Sequence, residues 1–360
     1  QAFDLYASAD DTEHAVEVAL TRTHHRLHEL NVEIAVSLGP VEELRQRALS
    51  LVEPDSHDEG RLLSAGWDRD GLDRALRIAR REHDAGLETW TLARLAEFHG
   101  YHGAFDTSVA LWRRVVDQAR TWRDRSALNW FLYMYTFPLA ASGSLAYART
   151  VSLRLVENAR LARSPRLQWR AHYATAALAG MAGDWAACRE HSEKVFSLHP
   201  ANTATFSGAF AQLNLGLMEY ETGNPDAGIR LLQSSAAWTD GPAGRGFLCA
   251  EAKIVRITDD AVRLEELARR LRWAAEPPGV GPFGFFLSAW HVARATLAAL
   301  VGDRTVAASE RAYFDRWTGY SPLGMAGRSY MAIRGLIEAT LGELDAAAGY
   351  LKRAVEFCRT

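Results

Sequence analysis

Glycine recurs at a fixed interval along this chain. Four glycines stand 40 residues apart, and two more keep the same spacing near the C-terminus: Gly103, Gly143, Gly183, Gly223, Gly302 and Gly342. A fixed period of this length is the signature of a repeat architecture, in which each unit packs mainly on its neighbours. The chain is therefore predicted to consist of consecutive copies of one structural unit.

The repeat extends to positions that the glycine does not dictate. Seven places before each glycine stands a small residue: Ala96, Thr136, Ala176, Gly216, Ala295 or Gly335. Five places after each glycine stands another: Ser108, Ala148, Cys188, Gly228, Ala307 or Ala347. Small residues at one point on each of two consecutive helices let antiparallel helices approach closely, and the glycine closes the turn between them. Each unit is therefore predicted to be a helical hairpin.

Three segments resemble the unit of the tetratricopeptide repeat (TPR) family, which has a small residue midway along its first helix, a Gly-rich turn and an alanine early in its second helix. They are LGLMEYETGNPDAGIRLLQSSAAW (215–238), GMAGDWAACREHSEKVFSLHP (180–200) and GLIEATLGELDAAAGYLKRAVEFC (335–358). The interval exceeds the family's usual length of about 34 residues, and the family's early tryptophan is missing, so longer helices or loops are expected. The resemblance implies an all-α, TPR-like fold, a right-handed superhelical solenoid of antiparallel helical hairpins.

The sequence predicts one continuous array behind a short N-terminal segment. Residues 1–60 are predicted to form a helical hairpin or cap, with one helix over 12–37 that is closed by Gly39-Pro40 and a partner helix over 41–52. Residues 61–360 are predicted to form the TPR-like array, irregular around 241–286, where Gly-rich and Pro-rich segments interrupt the pattern. Counting degenerate copies, about eight or nine hairpins are expected.

Composition argues against several classes of function. The formal net charge is −3, and the basic residues form no cluster of the kind that a nucleic-acid surface needs. Cys188, Cys249 and Cys358 lie far apart, with neither a disulfide framework nor a zinc spacing. No apolar stretch approaches the roughly 20 residues that span a bilayer, and no signal peptide is visible. The sequence therefore predicts a cytoplasmic protein with no membrane association and no direct nucleic-acid contact.

Motifs for catalysis or metal binding are weak. His24, His25 and His28 form HHxxH, in which His24 and His28 share a helix face, but neither a third ligand nor an HExxH glutamate follows. The loop 241–246 has the outer glycines of a phosphate loop and lacks its Lys-Ser/Thr. No serine or cysteine stands in a nucleophile elbow. The sequence therefore predicts no catalytic residue, no metal and no cofactor.

In the TPR family, the first helix of each hairpin lines a concave surface that binds partners. The family pattern puts the inner positions 13, 10, 6 and 3 residues before the turn glycine. Carried over to this chain, the positions predicted to contact a ligand or partner are Trp90, Glu97, Trp130, Tyr133, Phe137, Arg170, Tyr173, Phe210 and Tyr220. This aromatic set favours an apolar ligand or an amphipathic partner helix. Aromatic residues at helical spacing more often form core than a ligand site, so ordinary packing between repeats stays open as the alternative.

The leading hypothesis is a non-enzymatic TPR-like scaffold that binds a protein, a peptide or a small apolar ligand. Its degenerate repeat resembles the helical arrays of bacterial LuxR-type ATPase regulators and of multidomain nucleotide cyclases. That resemblance implies the sensory or regulatory region of a bacterial transcriptional regulator or signalling protein. The chain begins at Gln1 rather than methionine, which is expected both of a piece of a longer protein and of a processed N-terminus.

Two alternatives belong to other classes. One is an enzyme or biosynthetic accessory protein whose aromatic-lined helical channel encloses a small hydrophobic substrate. The other is an assembly role, in which the apolar ends of the solenoid pack on a second copy to form a homodimer. Leu344, Leu351 and Val355 in the last repeat motivate it, since they need a further helix or a partner to cover them.

Overall fold

The computed structural model describes residues 2–29, 38–122, 124–198, 206–236, 252, 254–255, 261–273, 283–315 and 330–358. These residues form α-helices joined by short turns, with no β-strand among them. In chain order the helices are α1 (Ala2–Ser8), α2 (Thr12–Glu29), α3 (Leu38–Leu49), α4 (His57–Ser64), α5 (Arg69–Arg81), α6 (Ala85–Tyr101), α7 (Phe105–Ala119), α8 (Arg125–Ala141), α9 (Leu145–Leu161), α10 (Pro165–Met181), α11 (Trp185–Leu198), α12 (Phe206–Glu221), α13 (Pro225–Ala236), α14 (Ala261–Trp273), α15 (Phe283–Val301), α16 (Arg304–Phe314), α17 (Tyr330–Leu341) and α18 (Leu344–Cys358).

The six repeating glycines end the first helices of six hairpins. All have a positive φ, between 69° and 95°, which is the left-handed region that only glycine adopts without steric cost. The amide of the following residue donates to the carbonyl five residues earlier, as from Ala104 to His99 at 2.9 Å and from Asp184 to Ala179 at 2.9 Å. This is the bonding of a Schellman turn. The glycine therefore both stops the first helix and aims the chain into the second.

The two series of small residues meet where the helices of a hairpin approach most closely. All twelve positions are buried. Ser108 Oγ donates a hydrogen bond across the α6–α7 hairpin to the carbonyl of Ala96 at 2.7 Å. In the α12–α13 hairpin, a methyl group on Gly228 would lie 2.6 Å from the carbonyl oxygen of Gly216. Larger side chains would hold these backbones apart, so the periodic sequence pattern directly reports the helix spacing.

The first helices of the hairpins form the inner layer of the array. Each of α4, α6, α8 and α10 contacts the next first helix as well as its own partner. The first helix of a hairpin is also more buried than its partner: α10 buries 12 of its 17 residues, and α11 buries three of its 14. Further along, α15 also contacts α6, so the array turns back on itself. Side chains that line the inner layer are consequently much more buried than those of the outer helices.

The N-terminal segment differs from its prediction in one detail. Gly39 and Pro40 lie in the first turn of α3 instead of ending the preceding helix, and proline is tolerated there because the first amides of a helix have no intrahelical acceptor. Residues 30–37 of the predicted helix 12–37 lie outside the described part of the chain. Helices α1 to α3 share a buried apolar cluster that includes Phe3, Leu20 and, from α4, Leu62. The division at residue 60 stays a prediction.

Most of the segment 241–286, which was predicted to be irregular, also lies outside the described residues. The described residues of this segment include α14 and the start of α15. Within the described part of the chain, no helix is both long and apolar enough to cross a membrane.

Candidate ligand-binding face

Nine side chains from the inner layer and its edge form one group, called here the inner-face cluster: Trp67, Arg94, Glu97, Tyr101, Trp130, Tyr133, Phe137, Arg170 and Tyr173. Tyr133 on α8 lies at its centre. The Tyr133 ring is 5.9 Å from that of Trp130, 5.2 Å from that of Phe137 and 6.5 Å from that of Tyr173, measured between centroids. Edge-to-face and tilted contacts at these distances are the favourable geometries for aromatic pairs.

A guanidinium group covers one end of these rings. The Arg170 guanidinium carbon lies 5.0 Å from the centroid of the Trp130 ring, within the range of a cation–π contact. Burial raises the pKa of Tyr133 to about 12, although the positive charge of Arg170 acts in the opposite direction. Burial also raises the pKa of Tyr173 well above its usual value. Both phenols are therefore neutral at physiological pH and can donate hydrogen bonds but cannot act as bases.

A buried ion pair lies at the other end of the cluster. Glu97 Oε2 accepts a hydrogen bond from Arg94 Nη1 at 2.6 Å, and the two side chains are only 1% and 4% exposed. The Arg94 guanidinium carbon also lies 4.8 Å from the ring of Trp67. Burial raises the pKa of Glu97, which the charge of Arg94 partly offsets. Burial is the largest cause of the raised pKa of Tyr101, and the negative charge of Glu97 raises that pKa further.

The second oxygen of Glu97 is not satisfied in the same way. Glu97 Oε1 is buried and has no hydrogen-bond partner among the described residues. Native structures pair nearly all buried polar atoms, because leaving one unpaired costs about 1–3 kcal/mol. This carboxylate oxygen is therefore an acceptor on the inner layer that a donor could fill.

The structure brings together six of the nine predicted site residues and places the other three separately. A chain of contacts links Trp130, Tyr133, Phe137, Arg170 and Tyr173, and Glu97 joins them through Tyr101. Trp90 packs edge-on against Phe131 at 4.6 Å, in the core between α6 and α8.

Two predicted site residues lie beyond this group. Tyr220 is half-buried near the end of α12, and the side chain of Phe210 lies outside the described residues. A binding role for the nine predicted residues stays a prediction.

Sequence reasoning missed Trp67, Arg94 and Tyr101. Arg94 and Tyr101 stand three residues before and four residues after Glu97, so they share its helix face, and that spacing was a usable signal. Trp67 precedes α5, in the turn between helices, and no periodicity points to it. Its contact with Arg94 depends on how one hairpin stacks on the next.

The inner-face cluster continues into the main apolar core. Tyr173 stacks on Trp169 with centroids 6.0 Å apart, and both belong to a buried cluster that also contains Trp290 and Val292 of α15. The aromatic residues of α8 and α10 thus belong to the same apolar core as residues of the C-terminal helices.

The described residues offer no group of three or more His, Cys, Asp or Glu side chains that could hold a metal ion. The side chains of His24, His25 and His28 lie outside the described residues, although α2 includes their backbone. Burial raises the pKa of the Cys188 thiol to about 11, and Cys188 packs at the small-residue position of α11. This thiol is therefore neutral and serves helix packing.

The fold is similar to solved structures of Rap proteins. A Rap protein complexed with Competence and Sporulation Factor superposes with a TM-score of 0.60 and 12% identity, over 96% of this chain and 97% of that one. The chain has the fold of a TPR-like helical-repeat solenoid. The Rap conjugation gene regulator of the plasmid pLS20, in complex with the Phr* peptide, gives a TM-score of 0.58 with 10% identity over 95% and 94% of the two chains.

The apo form of RapI gives a TM-score of 0.52 with 11% identity over 96% of this chain and 97% of that one. No protein-family model matches the sequence, and no curated protein matches it. At this level of identity the similarity establishes the all-α repeat fold, as the glycine period predicted, and it does not extend to function.

Proposed function

We propose that this chain is a non-enzymatic regulatory scaffold that binds a peptide or a protein segment on its inner layer. One of the similar solved structures, at a TM-score of 0.58, holds the Phr* peptide. A TPR-like array presents its inner helices as an extended concave surface, which suits a ligand without a compact fold of its own. The fold similarity therefore supports a peptide more than any other ligand class.

The observation that carries this proposal is the half-satisfied carboxylate of Glu97 beside the aromatic rings. Glu97 Oε1 is a buried acceptor without a partner among the described residues. A peptide provides donors of the right kind in its backbone N–H groups, its amino terminus and its basic side chains. The ring of Tyr101 provides apolar surface beside Glu97, and the ring of Tyr133 extends that surface beyond Tyr101. One ligand class thus matches both the polar and the apolar parts of the inner-face cluster.

The finer parts of the hypothesis belong to the same proposal. The chain is proposed to act in the cytoplasm as the sensory or regulatory region of a bacterial transcriptional regulator or signalling protein. In that role, ligand binding changes the contacts of the array with its effector, since a ligand shifts an equilibrium only by its different affinity for the two states.

A second candidate is a channel for a small apolar molecule, as in an enzyme or a biosynthetic accessory protein. The aromatic rings gathered around Tyr173, those of Trp169, Tyr133 and Phe137, favour it, because aromatic and apolar side chains form most of the lining of small-molecule sites. The Glu97 carboxyl group would then be the polar group that orients the ligand.

Affinity selection from a library of short random peptides, read by mass spectrometry, separates the two candidates. The selection is run on the wild-type protein, on Tyr133→Leu and on the control Tyr147→Leu. Leucine keeps apolar bulk at the centre of the cluster and removes the ring. Tyr147 is an exposed tyrosine on the outer helix α9, so its variant controls for loss of any tyrosine.

Peptides that are retained by the wild type and by Tyr147→Leu, but lost from Tyr133→Leu, are the expected result. Native mass spectrometry of the same samples tests the second candidate: a co-purifying small molecule that only Tyr133→Leu loses would replace the peptide proposal. Retention of neither peptide nor small molecule by the wild type would refute both.

A further inference from the structure

The last helix presents apolar side chains to solvent. On α18, Leu344 is 69% exposed, Leu351 40% and Val355 51%. Exposed apolar side chains on one face of a helix are typical of a surface that another helix covers.

The spacing of these residues is that of a coiled-coil seam. Leu344, Ala348, Leu351 and Val355 are separated by steps of four, three and four, which is the a and d pattern of a heptad. Ala348 is exposed as well. The seam therefore runs as one narrow stripe from Leu344 to Val355, about 17 Å long at 1.5 Å per residue. A stripe of this width matches one helix and not a broad surface.

One flank of the seam carries charges of opposite sign. Asp345 and Lys352 directly follow Leu344 and Leu351, so they occupy successive e positions, and both are exposed. The other flank consists of Ala347 and Ala354, which are buried. In an antiparallel helix pair, e positions face e positions, so only the flank of Asp345 and Lys352 can pair across such an interface.

We propose that α18 packs antiparallel on α18 of a second copy of this chain, about a two-fold axis near Ala348 and Leu351. In this register Leu344 lies opposite the partner's Val355. Asp345 then lies near the partner's Lys352, and the symmetry repeats that ion pair. The pattern is self-complementary, as an isologous interface requires.

Packing between α17 and α18 already orders part of the seam before a partner binds. Helix α18 packs closely on α17 because Gly335 leaves room for Leu351, whose Cγ would lie 2.6 Å from a methyl group at Gly335. The Leu351 side chain is thereby fixed between the two helices, with its outer part exposed. Little side-chain ordering is left to be lost on association.

Sedimentation velocity over a wide range of concentrations tests the proposal. The wild type is expected to show a monomer–dimer equilibrium, and the double variant Leu344→Gln, Val355→Gln to be monomeric with the helical content of the wild type. Leu153→Gln is the matched control, since Leu153 is 60% exposed on the outer helix α9 and lies off the seam. It is expected to dimerise like the wild type.

Charge reversal tests the antiparallel register. Asp345→Lys and Lys352→Asp are each expected to weaken the dimer roughly tenfold, because each creates two like-charge contacts. Combining the two substitutions restores opposite charges and should recover the wild-type dissociation constant. A wild type that stays monomeric overturns the proposal. A dimer whose dissociation constant the seam variants leave unchanged also overturns it. So does a dimer that stays weakened when the two charge substitutions are combined.

Discussion

His172 and His191 face each other across the α10–α11 hairpin, with their Nδ1 atoms 2.7 Å apart and their rings stacked at 5.0 Å between centroids. An Nδ1···Nδ1 contact requires one ring to donate and the other to accept, so at least one imidazole is neutral. Burial lowers the pKa of His172 to about 4, with further contributions from His191 and Lys194, while Glu190 opposes them. Burial also lowers the pKa of His191, against the opposing charges of Glu190 and Asp184.

Stability is expected to fall as the pH drops from 6.5 towards 4. In this window the unfolded chain binds protons at histidines that the folded chain keeps neutral, so protonation favours unfolding. Above pH 6.5 both states are neutral and the effect disappears. The pair should contribute a loss of about 2 kcal/mol in the free energy of unfolding. Urea unfolding at several pH values measures it.

His172→Gln should remove much of that pH dependence, since a glutamine does not titrate. The matched control is His83→Asn, at an exposed histidine with a positive φ that asparagine tolerates. If His172→Gln keeps the full decline below pH 6.5, the histidine pair is not its source.

Gly228→Ala is expected to lower the free energy of unfolding by about 2 kcal/mol, because the added methyl group would lie 2.6 Å from the carbonyl oxygen of Gly216 and force α12 and α13 apart. Gly349→Ala makes the same chemical change on α18, where nothing lies within 4 Å of the new methyl group. This control should instead gain about 0.5–1 kcal/mol from helix propensity. Equal effects at the two glycines would contradict the close approach.

Arg163→Gly should stabilise the protein by about 0.5 kcal/mol. Arg163 has a φ of 51° in the turn between α9 and α10, a conformation that strains any residue with a Cβ. Glycine relieves that strain but adds freedom to the unfolded chain, so the net gain is modest. Arg154→Gly, in the exposed middle of α9, should lose about 1 kcal/mol. Thermal unfolding compares the two, and a loss at both positions would argue against strain in the turn.

Arg94→Met is expected to cost about 3 kcal/mol, because it leaves the Glu97 carboxylate buried without its guanidinium partner. The double variant Arg94→Met, Glu97→Leu should recover most of that loss, since apolar residues of similar size replace a buried pair well. Denaturant unfolding measures both. Under the proposed function, the double variant should nevertheless lose the peptides that the wild type retains. Stability without binding would assign Glu97 to the ligand site, whereas full retention would assign the pair to the core.

The period of the sequence was sufficient to predict the architecture. A Schellman turn needs a residue that adopts a positive φ, and close helix packing needs small side chains at matching points. Both requirements therefore determine which residue types recur at a fixed spacing. His83 and Arg163 occupy the same backbone conformation without glycine, and no rule of composition would have identified them. Pro40 was misread for a similar reason: proline at a helix start and proline after a helix end give the same local signal.

The inner-face cluster was only partly predictable. The family pattern placed Tyr133, Phe137 and Tyr173 on one face, because helical periodicity determines which residues of a helix point together. Whether those rings meet across α8 and α10 depends on the angle between successive hairpins.

The sequence by itself determined the repeat unit, its turns and the small residues of its hairpins, since each follows from local backbone geometry. Only the tertiary structure decided that Trp67 lies on Arg94, that one buried oxygen of Glu97 has no partner within the described part of the chain, and that His172 meets His191. These contacts join residues of different helices, or depend on the burial that those helices create. Their distances depend on how the hairpins stack. The sum of many weak packing interactions determines that stacking, and no single residue encodes it.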